Sequence, residues 1–314
     1  MKTKLAQWTQ KLKHNLIALQ NNAIVQREMR SRMRGGRAFL TVTFYLGILG
    51  LAVASVLLIA FTTNNITPSI EVSQALGKSL FGILFGMELL AVSFIAPALT
   101  AGAIATERER QTFDLLRATL LTPTDIVLGK LSSALSYMLL LLFSATPFFS
   151  MALLFGGVEW GELLIAFAML VVTAVAFSAA GLFFSALVNR TLIATVLTYG
   201  FTSLVTFGVP MFLAVVLALM GPLLGSGSFG SNPWFEGSLL LVGWVLCAIN
   251  PGLTVLVSEL ILAEENSLFM ISVPLSNGPN LILLSPWIGY LLFYIFLSLF
   301  LITLGKYAVR RIEA

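Results

Sequence analysis

The sequence predicts an all-α membrane protein with six transmembrane helices, and three observations carry that prediction. Hydrophobic residues make up 58% of the 314 residues, and the mean hydropathy is +0.96. Seven continuous apolar runs are long enough to span a hydrocarbon core as a helix, which takes roughly 20 residues. They lack the alternating pattern of transmembrane β-strands. Finally, 17 of the 18 basic residues, all except Lys78, fall on one side of the membrane if six runs span it.

The six predicted spans follow from these runs. They cover 38–61, 80–105, 131–155, 163–188, 191–220 and 281–305. The seventh run, 238–262, is interrupted by Asn250, Pro251 and Gly252, and a proline inside a helix removes a hydrogen-bond donor and breaks it. If this run also spanned, the basic C-terminal residues would lie on the opposite side from the other basic clusters. We therefore predict a re-entrant helical hairpin that enters from the outer face; a kinked full span is the alternative.

Residues 1–37 precede the spans and differ from them in composition. They contain nine basic residues and two segments with apolar residues at spacings of three and four, a pattern typical of helices that lie in the membrane interface. The second segment predicts a membrane-parallel elbow helix with the basic residues Arg27, Arg30, Arg32 and Arg34. The alternative is a basic patch that only fixes orientation. The sequence thus divides into this N-terminal segment and a single transmembrane domain, 38–314.

The stretch between the second and third spans is the most charged part of the chain. Residues 105–130 hold eight charged residues, although only 10% of the chain is charged. Thr106 and Glu109 have the spacing of a capping box, which predicts a helix that starts near residue 107 and places Phe113 and Leu116 on one face. Thr122 and Pro123 predict the start of the next helix. The stretch is thus a docking surface for a cytoplasmic partner or, alternatively, an ordinary solvated loop helix.

Glu88 is the one ionisable residue well inside a predicted span, and such residues are functional candidates because a charge there is costly. It could line a pathway or relay a proton, or it could be held neutral by a hydrogen bond to Ser or Thr on a neighbouring helix. Cys247 is the only cysteine, which excludes an internal disulfide and a cysteine-based metal cluster. No metal site is predicted.

The charged stretch closely resembles a motif of type-2 ATP-binding-cassette (ABC) exporter permeases. The motif residues run from Glu107 to Leu116 and continue with Thr122-Pro123 and Gly129-Lys130. Gln111 stands where the family usually has glycine, which we expect to tilt the helix differently. Residues 23–34 also resemble the connecting helix that precedes the first span in this family, so the resemblance covers nearly the whole chain.

The resemblance implies a permease subunit that binds a separate cytoplasmic ABC ATPase. ATP and Mg²⁺ would bind that partner, since the chain has no Gly-x-x-x-x-Gly-Lys-Ser/Thr loop, and this chain itself would bind no cofactor and no nucleic acid. It also implies a second permease copy or a sister permease, contact with membrane lipids, and a bacterial-type cytoplasmic (inner) membrane with both termini in the cytoplasm. The implied coupling residues are Glu107, Arg108, Glu109, Arg110, Thr112, Phe113, Leu116 and Arg117.

Three other functions stay open at this point. The chain could be a regulatory or scaffolding subunit that moves no cargo, or a secondary transporter that uses Glu88 as its proton site. An intramembrane enzyme is disfavoured, because one carboxylate and one cysteine in the spans provide no nucleophile and base pair. For a transporter, the apolar spans are compatible with a lipid, a hydrophobic drug, a polysaccharide or a peptide as cargo.

Overall fold

The computed structural model describes residues 36–63, 70–112, 122–225, 233–265, 269–273 and 281–313. The predicted elbow residues Arg27, Arg30, Arg32 and Arg34 lie outside these ranges. The described part is almost entirely helical. Its elements are α1 Gly36–Thr63, α2 Ile70–Thr100, α3 Ala105–Glu109, α4 Pro123–Ser144, α5 Thr146–Phe155, α6 Trp160–Leu187, α7 Thr191–Ser203, a π-helix Leu204–Gly208, α8 Val209–Gly225, α9 Pro233–Ile249, α10 Pro251–Glu265, β1 Met270–Val273, β2 Leu281–Leu284 and α11 Pro286–Glu313.

Six helical segments are long and apolar enough to cross a membrane, as the sequence predicts. They are Phe39–Thr62, Ile70–Glu109, Pro123–Phe155, Trp160–Leu187, Thr191–Val216 and Pro286–Arg311. The second segment begins ten residues before the predicted start at residue 80, because its polar first turns pack on the end of α5, where the Ser73 hydroxyl donates to the Phe155 carbonyl at 2.6 Å. The chain is therefore an all-α membrane protein.

Helix α6 lies at the centre of the bundle and is the most buried of the six. Small residues on its second half allow α2 to approach closely, as is common between membrane helices. At Gly181, a Cβ atom would lie 2.1 Å from Thr100 Oγ1 and 3.1 Å from the Ala101 backbone nitrogen. This contact fixes the end of α2 against α6, next to the charged stretch.

The interrupted run forms two helices, α9 and α10, that meet at Asn250 with a bend of 117°. The fully buried Asn250 side chain accounts for the geometry: Oδ1 accepts from the Leu253 N–H at 3.0 Å and caps α10, while Nδ2 donates to the carbonyls of Val205 (2.8 Å) and Thr206 (2.9 Å). Both carbonyls belong to the π-helix, whose wider turn disturbs the normal backbone ladder. The predicted break at Asn250, Pro251 and Gly252 is therefore present.

A two-stranded antiparallel sheet precedes α11, and the sequence analysis did not predict it. Strand β1 pairs with β2 in the register Met270 to Leu284 and Val273 to Leu281. The indole N–H of Trp244 on α9 donates to the Leu284 carbonyl at 2.7 Å and attaches the sheet to the broken helix pair.

Successive long helices alternate in direction, so one end of each lies on the same side of the bundle. We call this side the charged end. It consists of residues 104–112, 122–130, 185–191 and 306–311. A small apolar cluster of Ile104, Val127, Leu182 and Val309 packs beneath it and joins four of the long helical segments.

Candidate functional site at the charged end of the bundle

Helix α3 begins with a cap that comes from another helix. Ser185 Oγ on α6, which is fully buried, accepts hydrogen bonds from the Ile104 and Ala105 N–H groups, both at 2.9 Å. Ile104 is the N-cap residue and is already in a helical conformation, with φ −104° and ψ −42°. The predicted capping box of Thr106 and Glu109 is wrong, because the chain enters α3 from α2 without the extended residue that such a box requires.

Glu107 forms an ion pair with Lys130 in the second turn of α4. The distance between Lys130 Nζ and Glu107 Oε1 is 2.8 Å, and the side chain of Lys130 is only 3% exposed. Removing a charge from water is costly unless it is paired. Glu107 therefore contributes to offsetting the cost of burying Lys130 and ties α3 to α4.

Arg108 contacts the last turn of α6. Its Nη1 group donates to the carbonyls of Ala186 at 3.2 Å and Val188 at 3.5 Å. The last carbonyls of a helix have no partner inside the helix and carry partial negative charge, so a guanidinium group is well suited to this position. Arg108 thus ties α3 to the end of α6.

Glu109 caps α7 and not its own helix. Its Oε2 atom accepts from the Thr191 N–H at 3.2 Å and from the Thr191 hydroxyl at 2.5 Å. Thr191 is the first residue of α7, where free N–H groups and the helix dipole favour a carboxylate. Glu107, Arg108 and Glu109, which we call the 107–109 cluster, therefore bind three different long helices.

Gln111 ends α3 in the left-handed conformation, with φ +57°. Around it, the Thr112 N–H donates to the Glu107 carbonyl at 2.9 Å, and the Gln111 N–H donates to the Arg108 carbonyl at 3.1 Å. This pair of bonds is the Schellman motif, which favours glycine at the left-handed residue. The sequence departs from the family pattern at the position where the backbone requires positive φ, so α3 stops there and does not continue toward residue 120 as a single helix.

The remaining predicted coupling residues divide into two groups. Arg110 and Thr112 are exposed at the end of α3, and the Thr112 hydroxyl donates to the Glu107 carbonyl at 3.2 Å. Phe113, Leu116 and Arg117 lie outside the described residues. After the gap, Thr122 caps α4 as predicted: its hydroxyl accepts from the Asp125 N–H, Asp125 bonds back to the Thr122 N–H, and Pro123 occupies the first turn.

Glu88 lies deep in the bundle and is 1% exposed. Its Oε1 atom accepts a hydrogen bond from the Tyr45 hydroxyl on α1, and its Oε2 atom has no partner within the described residues. A hydrogen bond to Ser or Thr was one of the alternatives that the sequence left open for Glu88, and the partner in the structure is a tyrosine. The described residues contain no group of three or more His, Cys, Asp or Glu side chains that could hold a metal ion.

Sequence analysis missed Ser185 and Thr191, and it gave Lys130 no role of its own. Their partners are 80, 82 and 23 residues away along the chain, so no local pattern reveals the contacts. The one available signal was a lysine directly before the predicted span 131–155, in the second turn of the helix predicted to start at Thr122 and Pro123, where an ionisable residue favours a partner.

Comparison with known proteins agrees with this architecture. A sequence model of the family described as "ABC-2 type transporter" matches residues 19–230, which include α1 to α8 and the 107–109 cluster. No curated protein matches the chain. Since the match covers two thirds of the chain and the helices are those of a multi-pass membrane protein, the chain belongs to the ABC-2 type transporter family and is a permease subunit of an ABC transporter.

Proposed function

We propose that this permease works as an ATP-driven exporter in a bacterial-type cytoplasmic membrane, with both termini in the cytoplasm. A separate ATPase binds ATP and Mg²⁺ and docks at the charged end. The observation that carries this proposal is that Glu107, Arg108 and Glu109 bind three different long helices within one short segment. The cytoplasmic position rests on the basic residues that collect at this end.

The 107–109 cluster gives a physical route from the ATPase to the membrane. Each of its contacts is at or near the end of a long helix, so a displacement of α3 acts on α4, α6 and α7 at the same time. When ATP closes the ATPase dimer, the loop moves with it and the tilted helices favour the other access state. This is alternating access by population shift between two packings.

The structure also supports different roles for two groups of the predicted coupling residues. The cluster side chains, including the exposed Glu109, bond to the ends of other helices and would transmit movement. Arg110 and Thr112 make no side-chain bond to another helix within the described residues and lead into Phe113, Leu116 and Arg117. We assign the ATPase contact to this second group. Its apolar members would bury surface against the partner, which supplies most of the energy of stable association.

The test is the double variant Arg110→Glu, Phe113→Ala in cells that also produce the ATPase. We expect it to release the ATPase or to abolish permease-stimulated ATP hydrolysis. The matched control is Lys78→Glu, Phe61→Ala, which makes the same kinds of change at exposed residues of α2 and α1 outside the charged end. Copurification of an intact and fully stimulated complex from the first variant contradicts the docking assignment.

A second variant separates transmission from docking. Thr191→Val removes one of the two groups that Glu109 binds and leaves the ATPase contact unchanged. We expect the ATPase to remain bound while less substrate moves for each ATP hydrolysed. The control is Thr195→Val, one turn further along α7, whose hydroxyl bonds only within its own helix, to the Thr191 carbonyl at 2.8 Å. Equal coupling ratios in both variants would rule out transmission through Glu109.

The working unit would contain two permease chains, either two copies or a copy and a sister permease. Helix α1 and the segment from α7 to α8 are the least buried of the six long segments, at 17% each, and both expose large apolar side chains. These two faces are suited to contact with a second permease as well as with lipid. Cross-links between cysteines introduced on α1 and α7 of differently tagged copies test this arrangement.

The α9 and α10 pair would be a re-entrant hairpin on the outer side. Support comes from the 117° bend and from the bonds of Asn250 to the π-helix, since broken backbone at membrane depth must pack against protein. The test labels single cysteines placed at Ser228 and Ser276 in a Cys247→Ser background with a membrane-impermeant reagent. Labelling from opposite sides of the membrane would instead make the pair a bent full span.

A further inference from the structure

A cleft of about 440 Å³ opens between the first turn of α4 and the last turns of α11. Its walls combine two cationic side chains, two threonine hydroxyl groups and a tyrosine ring with its own hydroxyl group. They are formed by Pro123, Thr124, Thr303, Lys306, Tyr307 and Arg310. None of these residues belongs to the 107–109 cluster or to the proposed ATPase contact.

The walls of the cleft are held by packing on the other face of α11. Val309 is fully buried in the apolar cluster with Val127, and Gly305 lies against the same valine. Residues 303, 306, 307 and 310 are spaced by three and four, so they share the opposite helix face. The packing therefore presents both cationic groups toward the cleft.

The cleft carries positive charge that the described part of the chain does not neutralise. No acidic side chain that the structure describes, a set that leaves out Glu313, pairs with Lys306 or Arg310. The nearest carboxylate along α4, that of Asp125, is occupied by the Thr122 N–H at 3.1 Å and the Thr122 hydroxyl at 2.6 Å. The first turn of α4 adds the positive end of a helix dipole, so the cleft favours an anion.

An apolar strip continues from the cleft along the same face of α11. It is formed by the exposed side chains of Leu292, Phe296, Leu299 and Phe300. The rings of Phe296 and Phe300 are parallel within 9°, with centroids 6.5 Å apart. An anion site that opens onto a lipid-facing apolar strip matches a molecule with a phosphate head group and hydrocarbon chains.

We propose that this cleft binds the phosphate head group of an anionic phospholipid, whose acyl chains lie on the strip formed by residues 292–300. Lys306 and Arg310 contact the phosphate oxygens, and Tyr307 lies at the level of the head groups, where aromatic residues are common. The site is independent of the proposed export function. Its occupant is a lipid of the surrounding leaflet, not the cargo.

The test titrates the purified full-length chain with phosphatidylglycerol and counts bound lipids by native mass spectrometry. The variant Lys306→Gln, Arg310→Gln should bind about thirtyfold more weakly, since each basic residue near an anionic membrane surface contributes about a factor of five. The control Lys78→Gln, Arg311→Gln removes the same charge outside the cleft and should bind as the original chain does. The melting temperature of each variant shows whether it is folded, and the single variants replace the double one if it is not.

Three competitors identify the occupant. Phosphatidylcholine, inorganic phosphate and the water-soluble head group glycerophosphoglycerol should each displace phosphatidylglycerol poorly. Displacement by phosphate or by the free head group would make the cleft a site for a soluble anion and overturn the lipid assignment. Three other results would also overturn it. The chain could bind phosphatidylcholine as tightly as phosphatidylglycerol, or the variant and its control could lose lipid affinity equally. The third is a dimer of this chain that disappears only in the cleft variant.

Discussion

Replacement of Ser185 by alanine tests the contact between the start of α3 and the central helix. In the structure one buried hydroxyl oxygen accepts two backbone N–H groups, from Ile104 and Ala105, and both residues are fully buried. A buried donor left without an acceptor costs roughly 1–3 kcal/mol. We therefore expect Ser185→Ala to lower the free energy of unfolding by about 2–4 kcal/mol, because two donors lose one acceptor.

Ser178 provides a matched control on the same helix. It lies two turns before Ser185, is also fully buried, and its hydroxyl has no hydrogen-bond partner within the described residues. Ser178→Ala makes the identical chemical change and removes a buried hydroxyl group that makes no hydrogen bond within the described residues. It should therefore leave the free energy of unfolding unchanged or raise it slightly.

The assay is equilibrium unfolding in mixed micelles of a mild detergent and sodium dodecyl sulfate, followed by tryptophan fluorescence. Hydrogen exchange of the Ile104 and Ala105 amides adds a local measurement, which should accelerate in Ser185→Ala and remain unchanged in Ser178→Ala. Equal stability losses in the two variants would mean that packing, and not the cap, carries the effect. Unchanged amide exchange in Ser185→Ala would refute the cap itself.

Three further substitutions test other features of the structure. Gln111→Gly should raise the free energy of unfolding by about 0.5–1 kcal/mol, since positive φ is costly for a residue with Cβ, whereas Gln111→Ala should not; thermal unfolding of both measures this. Asn250→Asp keeps the cap of α10 but loses both bonds to Val205 and Thr206, so we expect a loss of about 1–3 kcal/mol in the same detergent titration. Glu88→Gln keeps an acceptor for the Tyr45 hydroxyl, so ATP-driven transport should persist in this variant. Loss of transport in the variant, together with proton-gradient-driven transport by the original chain in ATP-free vesicles, would favour the secondary-transporter alternative.

The parts of the fold that could be predicted from the sequence have causes that lie close together in the chain. The six long helices follow from continuous apolar runs, and the start of α4 follows from Thr122, Pro123 and Asp125 within four residues. The break at Asn250 is likewise marked by the proline that follows it. In each case the group that satisfies the backbone is a near neighbour.

The contacts of the candidate site could not be predicted in this way, although Glu107, Arg108 and Glu109 were singled out. Thr106 and Glu109 have the same spacing as Thr122 and Asp125, yet only the second pair forms a capping box. At residue 104 the backbone is already helical and Ser185 takes the role of the cap, which leaves Glu109 free to bind Thr191. A tertiary partner replaced the local one, and sequence spacing alone does not contain that information.

The inward contacts of the 107–109 cluster also bear on which residues meet a partner protein. An ATPase that bound the side chains of Glu107, Arg108 or Glu109 directly would first have to break their bonds to three helix ends. It would then break the ion pair between Glu107 and the buried Lys130, and removing one partner of a buried ion pair is strongly destabilising. Arg110 and Thr112 carry no such cost, because both are exposed and neither side chain bonds to another helix within the described residues. Glu107, Arg108 and Glu109 therefore attach this stretch to the permease itself, which supports the proposal that the ATPase contact begins at Arg110.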